Sequence, residues 1–329
     1  MNSMENPKRS TRWSGWGSLL GEYGGLLLAL GLLLAVFGFT TSNFFSRANF
    51  LTIANQIPAA MLVATGMTLV LVIAEIDLSV GSVLGLCGAV FGVAVASWHL
   101  AVPVAVLAAL AAGLACGALN GWISLQWRLP SFIVTLGMLE MARGGAHAIT
   151  GSRTEYVGGS IAALADTSVL GLSLPFLLAL TLVVVAQLTL TRTVFGRYLV
   201  AIGTNEEAVR LSGINPRPIK LAVFLISGLL VAMAGVIETS RFQSANPNSG
   251  SGFELQAIAA VVIGGTSLMG GRGSVVSTFF GVLIIAVLNS GLAIVGAREE
   301  TKRLITGAVI VLAVIVDHYR HRWSRVTRV

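Results

Sequence analysis

Charged residues are scarce in this sequence. They make up 11% of its 329 residues, whereas soluble domains carry about a quarter, and 55% of the residues are hydrophobic. Apolar runs of membrane length recur from one end to the other. This composition excludes a soluble globular protein. Because lipid satisfies no free backbone groups, it predicts an all-α polytopic membrane protein.

Cysteine and catalytic motifs are also lacking. The two cysteines, Cys87 and Cys116, lie in apolar runs, so we expect neither a structural disulfide nor a metal site. The phosphate-loop pattern G-x-x-x-x-G-K-[ST] does not occur, nor do G-x-S-x-G and H-E-x-x-H. We therefore expect no catalytic residues, and no ATP hydrolysis by this chain itself.

The basic residues of the chain are distributed unequally between the two sides of its predicted spans. The net charge is +7, but no basic stripe with interleaved aromatics indicates nucleic acid. Ten helical spans are predicted, which places both termini on one side. If that side is the cytoplasm, fourteen of the 21 Lys and Arg residues lie inside, as the positive-inside rule requires. The predicted spans are 21–41, 51–74, 79–98, 102–125, 131–150, 173–191, 219–240, 254–269, 274–295 and 301–317.

The spans define a simple domain organisation. We predict a cytoplasmic tail at 1–20, a transmembrane domain at 21–317 and a basic cytoplasmic tail at 318–329. Two long loops interrupt the domain, one outside at 151–171 and one inside at 191–220. The chain should also depart from regular spans around 75–80 and 266–273.

Two polar stretches lie at membrane depth, where ionisable groups are costly and often functional. In "VIAEIDLSVGSVLG", Asp77 and Ser79 can cap the following helix, or the break can lie beside a transport pathway. In "PSFIVTLGMLEMARGGAHAIT", Glu140 and Arg143 share one helix face. They form either an intrahelical ion pair or a polar contact in the pathway.

The inner loop contains the charged stretch "TNEEAVRLSGIN". Thr204 or Asn205 can cap a short helix, and Gly213 can end it. Glu206 and Glu207 suit its first turn, where the helix dipole favours acids. The apolar residues of this turn, Ala208 and Leu211, could form a small contact. From the residues alone, a solvated loop helix and a docking element remain equally open.

Three stretches together resemble one family. "GMTLVLVIAEIDLSVGS", "FGRYLVAIGTNEEAVRLSGIN" and "GFELQAIAAVVIGGTSLMGGRGS" are similar, in this order, to the permease of ribose-type monosaccharide ABC importers. The likeness extends from about Phe44 to Asp317. Glu75 and Gln256 depart from the family pattern, where glycine and often aspartate are expected.

The resemblance implies the ABC-importer permease fold and a set of partners. Two copies of the chain, or this chain and a paralogous permease, would form the pathway in the bacterial cytoplasmic (inner) membrane. A separate ABC ATPase subunit would bind ATP and Mg²⁺, with no cofactor on this chain. A periplasmic sugar-binding protein would deliver a sugar of the ribose, xylose, arabinose or galactose type, or a related polyol.

The resemblance also assigns residues to roles. The short inner helix would couple the permease to the ATPase through Gly203, Thr204, Asn205, Glu206, Glu207, Ala208, Arg210, Leu211, Ser212 and Gly213. The substrate path would use Asn55, Gln56, Asp77, Phe132 and Glu140. The binding protein would dock on Glu155, Asp166, Arg241 and Asn246.

Two other readings remain open. A branched-chain amino-acid permease would use the same ABC architecture. An ion-coupled secondary transporter would instead use Glu75, Asp77 and Glu140 as coupling groups.

Overall fold

The computed structural model describes residues 16–41, 43–309 and 311–312, and it is predominantly helical. The basic tail predicted at 318–329, most of the predicted tail at 1–20 and the end of the last predicted span lie outside this range. The first helix begins at Trp16, before the predicted start at 21.

Most of the described helices coincide with predicted apolar segments. The helices are α1 (Trp16–Thr40), α2 (Arg47–Gln56), α3 (Pro58–Val72), α4 (Val80–Ala96), α5 (Val102–Trp127), α6 (Ser131–Thr150), α7 (Ala162–Asp166), α8 (Leu174–Arg192), α9 (Val194–Thr204), α10 (Glu206–Leu211), α11 (Pro216–Phe242), α12 (Phe253–Ile263) and α13 (Val275–Ile294), followed by a helical segment at 299–309. Helices α7, α9 and α10 lie instead in the predicted loops at 151–171 and 191–220.

Within the described residues, four two-residue strands lie in the connections between helices. β1 (Glu155–Tyr156) pairs antiparallel with β4 (Ser244–Ala245), and β2 (Ser168–Val169) pairs antiparallel with β3 (Leu172–Ser173). The strands tie the long 151–171 loop to neighbouring segments without forming a sheet domain.

Close backbone packing forms the centre of the bundle. Helix α11 packs against α3, α4 and α5. A Cβ atom on Gly228 would collide with the carbonyl of Gly113, and one on Gly235 would lie 2.5 Å from the Leu84 carbonyl oxygen. Helices can approach this closely in a membrane only where the side chains are small. The glycines therefore set the spacing of the central helices. Within the packed interior, Cys87 and Cys116 are free thiols.

Five described helices, α1, α5, α8, α11 and α13, are long and apolar enough to cross a membrane. A sixth crossing arises if α2 and α3 are counted together, although the chain bends by 46° between them. The bend falls at Ile57, just before Pro58 begins α3. Proline suits the first turn of a helix because its missing N–H would have no partner there.

The span predicted at 254–269 is not one long helix. Helix α12 ends at Ile263, where Gly264 and Gly265 begin a loop that reaches Ser274. Eleven residues measure only about 16 Å at the helical rise, roughly half of the hydrocarbon thickness. The loop at 264–274 confirms the departure from a regular span that the sequence predicted around 266–273.

The polar segment before α12 runs alongside helix α4. We call residues 244–252 the arm. Along one face of α4, Ala245 packs on Gly92, the Ser249 carbonyl lies over Gly85, and the Gly250 carbonyl lies over Gly81. The arm therefore runs beside α4 for about 16 Å before α12 begins.

Candidate functional site

The short helix α10 has the geometry predicted for the charged stretch. Asn205 is its N-cap, and the Asn205 Oδ1 accepts a hydrogen bond of 2.9 Å from the Ala208 N–H. Glu206 and Glu207 occupy the first turn, and the chain leaves the helix through Gly213 at φ +84°. Thr204 instead ends the preceding helix, α9. The dipole and the capping rules therefore account for this turn.

Most side chains of helix α10 are exposed on the protein surface. Val209 is its buried residue, whereas Ala208 and Arg210 are exposed and Leu211 is 79% exposed. The apolar contact expected from Ala208 and Leu211 is thus not made within the described chain. The exposed surface of α10 therefore carries one large apolar side chain, Leu211, among charged ones.

Backbone contacts connect the base of α10 to two distant segments. The Gly271 N–H donates to the Val72 carbonyl oxygen over 2.9 Å. A Cβ atom on Gly203 would collide with that same carbonyl, and a Cβ atom on Gly271 would lie 2.5 Å from the Thr204 Oγ1. The end of α3, the end of α9 and the loop after α12 therefore meet in van der Waals contact. We call this meeting point the inner junction.

One buried lysine joins the inner junction to α10 electrostatically. Lys220, in the second turn of α11, is 6% exposed. Its Nζ forms an ion pair with Glu75, in the break after α3, and a second one of 2.9 Å with the Glu206 Oε2. Two acids from different parts of the chain thus share one cation. The sequence showed Lys220 only as one of the inside cations, because its partners are distant in sequence.

A cavity of about 660 Å³ opens between α10, the start of α11 and the end of α5. Lys220, Glu75 and Glu206 contribute to its wall. The further charged residues on the wall are Arg128, Arg210 and Arg217. Arg210 is paired with Glu207 over 2.6 Å. The surface around α10 is therefore indented and predominantly basic.

The break between α3 and α4 is held by side chains of α6. The Ile76 N–H donates to the Ser131 Oγ over 2.9 Å, and the Leu78 N–H donates to the Thr135 Oγ1 over 3.1 Å. Irregular backbone at membrane depth needs such partners. The break is thus a fixed element of the bundle.

Asp77 lies at the end of this break and is 4% exposed. It accepts hydrogen bonds from the Ser79 N–H (2.9 Å) and the Ser79 Oγ (2.6 Å), and the Asn120 Nδ2 donates to the Ser79 Oγ over 3.0 Å. The predicted capping by Asp77 and Ser79 is wrong in detail. Ser79 is the N-cap residue, but its hydroxyl donates to Asp77 and accepts no helix N–H.

Phe132 and Glu140 share an exposed face of α6. Gly137 and Gly144 lie on the same side, with open space where a Cβ atom would stand. The intrahelical ion pair, one of the two alternatives for Glu140 and Arg143, does not form. The Arg143 Nη1 instead donates to the carbonyl oxygens of Pro247 (2.6 Å) and Ser249 (2.9 Å), which fixes the arm against α6.

Four of the predicted outer residues meet at a second cavity, of about 390 Å³. Asn55, Gln56, Asp166 and Arg241 all line it. Asn55 accepts from the Ser173 N–H (2.8 Å) and donates to the Gly171 carbonyl (3.2 Å). Two of these residues were assigned to the pathway and two to docking, and the structure brings them together.

Arg241 and Glu155, two residues predicted to dock the binding protein, make further contacts near this cavity. Arg241 donates to the Gln56 carbonyl over 3.2 Å and pairs with Glu238 over 3.0 Å. Glu155 lies in β1 opposite Ala245, so it is separate from the cavity but next in space to Asn246 on the arm. Among the described residues, no group of His, Cys, Asp and Glu could hold a metal ion.

Comparison with known proteins gives one family and a consistent set of relatives. Residues 49–314 match the family described as "Branched-chain amino acid transport system / permease component". The ribose import permease protein RbsC of Escherichia coli strain K12 is 41% identical over 297 residues, which cover 89% of this chain and 92% of that protein. RbsC of Bacillus subtilis strain 168 is 36% identical over 299 residues, with the same coverage. The xylose transport system permease protein XylH of Escherichia coli strain K12 is 33% identical over 362 residues, covering 91% and 92%. No solved structure matches the chain.

Proposed function

This chain belongs to the family of branched-chain amino acid transport system permease components, and from that membership and its relatives we propose that it is the membrane-spanning permease subunit of an ATP-driven ABC importer for a monosaccharide. The observation that carries the substrate class is the similarity to a ribose import permease and a xylose transport system permease. The chain is a transport subunit of the bacterial inner membrane and not an enzyme. Ribose and xylose are the first substrates to test, with arabinose, galactose and polyols after them.

Helix α10 is the element that would couple the permease to a separate ABC ATPase, which would bind ATP and Mg²⁺. Three features support this assignment: α10 is capped, it is largely exposed, and Leu211 projects from it. Through the inner junction, the ATPase could move the membrane-spanning helices. A movement of Thr204 would displace the C-terminal end of α3 and the loop after α12. Lys220 would carry the same movement to the break at Glu75.

The substrate pathway is proposed to form between two copies of the chain, or between this chain and a paralogous permease, facing each other along α6. Glu140 lies about 14 Å from the start of α6, a depth at which an exposed carboxylate facing lipid would be costly. The open space beside Gly137 and Gly144 would let a second helix approach closely. Phe132 and Glu140 would then face the pathway at this contact.

The crossing pattern completes the proposal. Ten crossings with both termini in the cytoplasm would place α10 inside and the 390 Å³ cavity outside. The arm and α12 would together make one of these crossings. A periplasmic sugar-binding protein would dock on the outer side, with Glu155, Asp166 and Arg241 within its reach.

A transport assay tests the coupling role. The permease, its ATPase and its binding protein are reconstituted in proteoliposomes, and ATP-dependent uptake of labelled ribose and xylose is measured. Charge reversal at Glu206 and Glu207, or Gly213→Val, is expected to lower uptake at least tenfold while insertion is unchanged. Arg192→Glu, on the same inner side but outside α10, serves as the control and should retain uptake. Unchanged uptake in the α10 variants would refute the docking role.

The same vesicles distinguish the two alternatives. A secondary transporter would take up sugar in response to a proton or sodium gradient without ATPase subunits, and such uptake would reject the ABC proposal. The family description gives weight to branched-chain amino acids as well. ATP-dependent uptake of labelled leucine, unaffected by excess ribose and xylose, would make the chain an amino-acid permease.

A further inference from the structure

The arm is a polar, non-helical segment that lies deep in the bundle. Its sequence is "SANPNSGSG", without one large apolar side chain. At the end of the arm, the Gly250 carbonyl packs on Gly81 of α4. Gly81 lies about 22 Å along the helix from the outer end of α4 at Ala96, which is beyond the midplane of a hydrocarbon core of about 30 Å.

The arm is held on one side and open on the other. Arg143 binds the carbonyls of Pro247 and Ser249, and Pro247 is buried. Asn246, Asn248 and Ser251 are exposed. Its backbone is further fixed by internal bonds, since the Asn246 Oδ1 accepts from the Asn248 N–H over 2.8 Å.

Lipid cannot cover the open side. Exposed irregular backbone and amide side chains do not occur against hydrocarbon, where each unsatisfied polar group costs several kcal/mol. Such segments occur at membrane depth where they line a water-filled cavity, often where a helix is interrupted. The half-length α12 directly after the arm is such an interruption.

The open side of the arm lies beside the exposed face of α6. Arg143 joins the two elements, and Glu140 lies about one helical turn before Arg143 on α6. The carboxamides and hydroxyls of the arm are therefore held against the helix that carries the Glu140 carboxylate. These groups both donate and accept hydrogen bonds, which matches the hydroxyl groups of a sugar.

We propose that the arm lines the substrate pathway, and that Asn246, Asn248 and Ser251 hydrogen-bond the sugar hydroxyls during transit. This inference rests on the proposed function and deepens it. Asn246 would then contact the substrate instead of docking the binding protein. The arm, rather than Asn55 and Gln56, is then the main determinant of polar selectivity. The backbone at 171–173 engages both the oxygen and the nitrogen of the Asn55 carboxamide. In the arm, by contrast, the Asn248 backbone engages only the Asn246 Oδ1 and the Ser251 hydroxyl proton.

Cysteine accessibility tests the location of the arm independently of transport. Asn248→Cys and Ser251→Cys are labelled in the assembled complex with a membrane-impermeant, charged thiol reagent. Leu178→Cys, at an exposed apolar position of α8, is the control for a lipid-facing site. The unaltered chain gives the background, since Cys87 and Cys116 are buried. Labelling of the arm at least tenfold faster than at residue 178 is expected, and labelling as slow as the control would overturn the proposal.

Uptake then tests the contact with substrate. Asn246→Leu combined with Asn248→Leu should lower ATP-dependent uptake of ribose or xylose at least tenfold, measured at equal amounts of assembled complex in the vesicles. Thr181→Leu, a polar-to-apolar change at an exposed position of α8, should leave uptake unchanged. Wild-type uptake in the arm variant would refute the inference alone. Failure of the unaltered complex to transport either sugar would refute the proposed substrate class, while rapid labelling of the arm would still identify it as water-lined.

Discussion

Lys220 lies between two carboxylates with very different exposure. The Glu75 side chain is 15% exposed and the Glu206 side chain is 47% exposed. We predict that Lys220→Met lowers the free energy of unfolding by about 3 kcal/mol, because Glu75 would be left buried without its cation. Chemical denaturation in detergent measures this change. Removing both partners in Glu75→Gln/Lys220→Met should recover more than half of the loss.

An exposed pair provides the comparison. Arg210→Met breaks the ion pair with Glu207, in which both side chains are more than half exposed, and should cost less than about 1 kcal/mol. If Lys220→Met were as mild as Arg210→Met, Lys220 would not hold the break and α10 together.

Gly203 tests the close approach at the inner junction. A Cβ atom there would meet two backbone groups, the Val72 carbonyl and the Gly271 nitrogen, so relief requires backbone movement. We expect Gly203→Ala to destabilise the chain by about 1–3 kcal/mol. Gly31→Ala in α1 is the matched helical control, since nothing lies within 4 Å of the added Cβ. Thermal melting of the two purified variants compares their stabilities. Equal melting temperatures would contradict the packing described for Gly203.

Among the elements, α6 carries the face proposed to meet a second copy. A leucine at Gly144 fills space that is open within one chain, so it should leave folding of the monomer intact. It should also keep two α6 helices apart, and we expect the dimer fraction to fall at least fivefold. Light scattering of detergent-purified protein measures that fraction. Gly31→Leu, at an equally open glycine of α1, should remain as dimeric as the unaltered chain, and a dimeric Gly144→Leu would locate the interface elsewhere.

Hydropathy and capping rules predicted the elements and the irregular chain around 75–80 and 266–273, but not the bend at Ile57 or the course of the arm. The apolar segments and the details of α10 follow from local sequence, because a helix and its cap depend on neighbours a few residues apart. The inward course of the arm depends instead on contacts with α4 and α6, which are distant in sequence. Lys220 could not be matched to Glu75 and Glu206 for the same reason, since the three residues come together only in the folded chain.

At the scale of the whole molecule, the three stretches that carry the family resemblance meet at the inner junction. The Val72 carbonyl comes from the first, Gly203 and Thr204 from the second and Gly271 from the third. Each stretch is separated from the next by whole helices along the chain. The structure therefore gives a physical reason for their joint presence, since a change in one would disturb the backbone of the other two.

This joint packing makes a prediction for the complex. Binding of the ATPase to α10 should slow amide hydrogen exchange in 204–213, and also in 72–79 and 264–273, because opening of any one segment requires the others to separate. The outer loop at 151–171 lies at the other end of the bundle and serves as an internal control with unchanged exchange. Mass-spectrometric exchange with and without the ATPase subunit measures all four segments at once. Protection confined to 204–213 would mean that α10 binds its partner without engaging the membrane breaks, and the inner junction would then be packing alone rather than the route from ATP to transport.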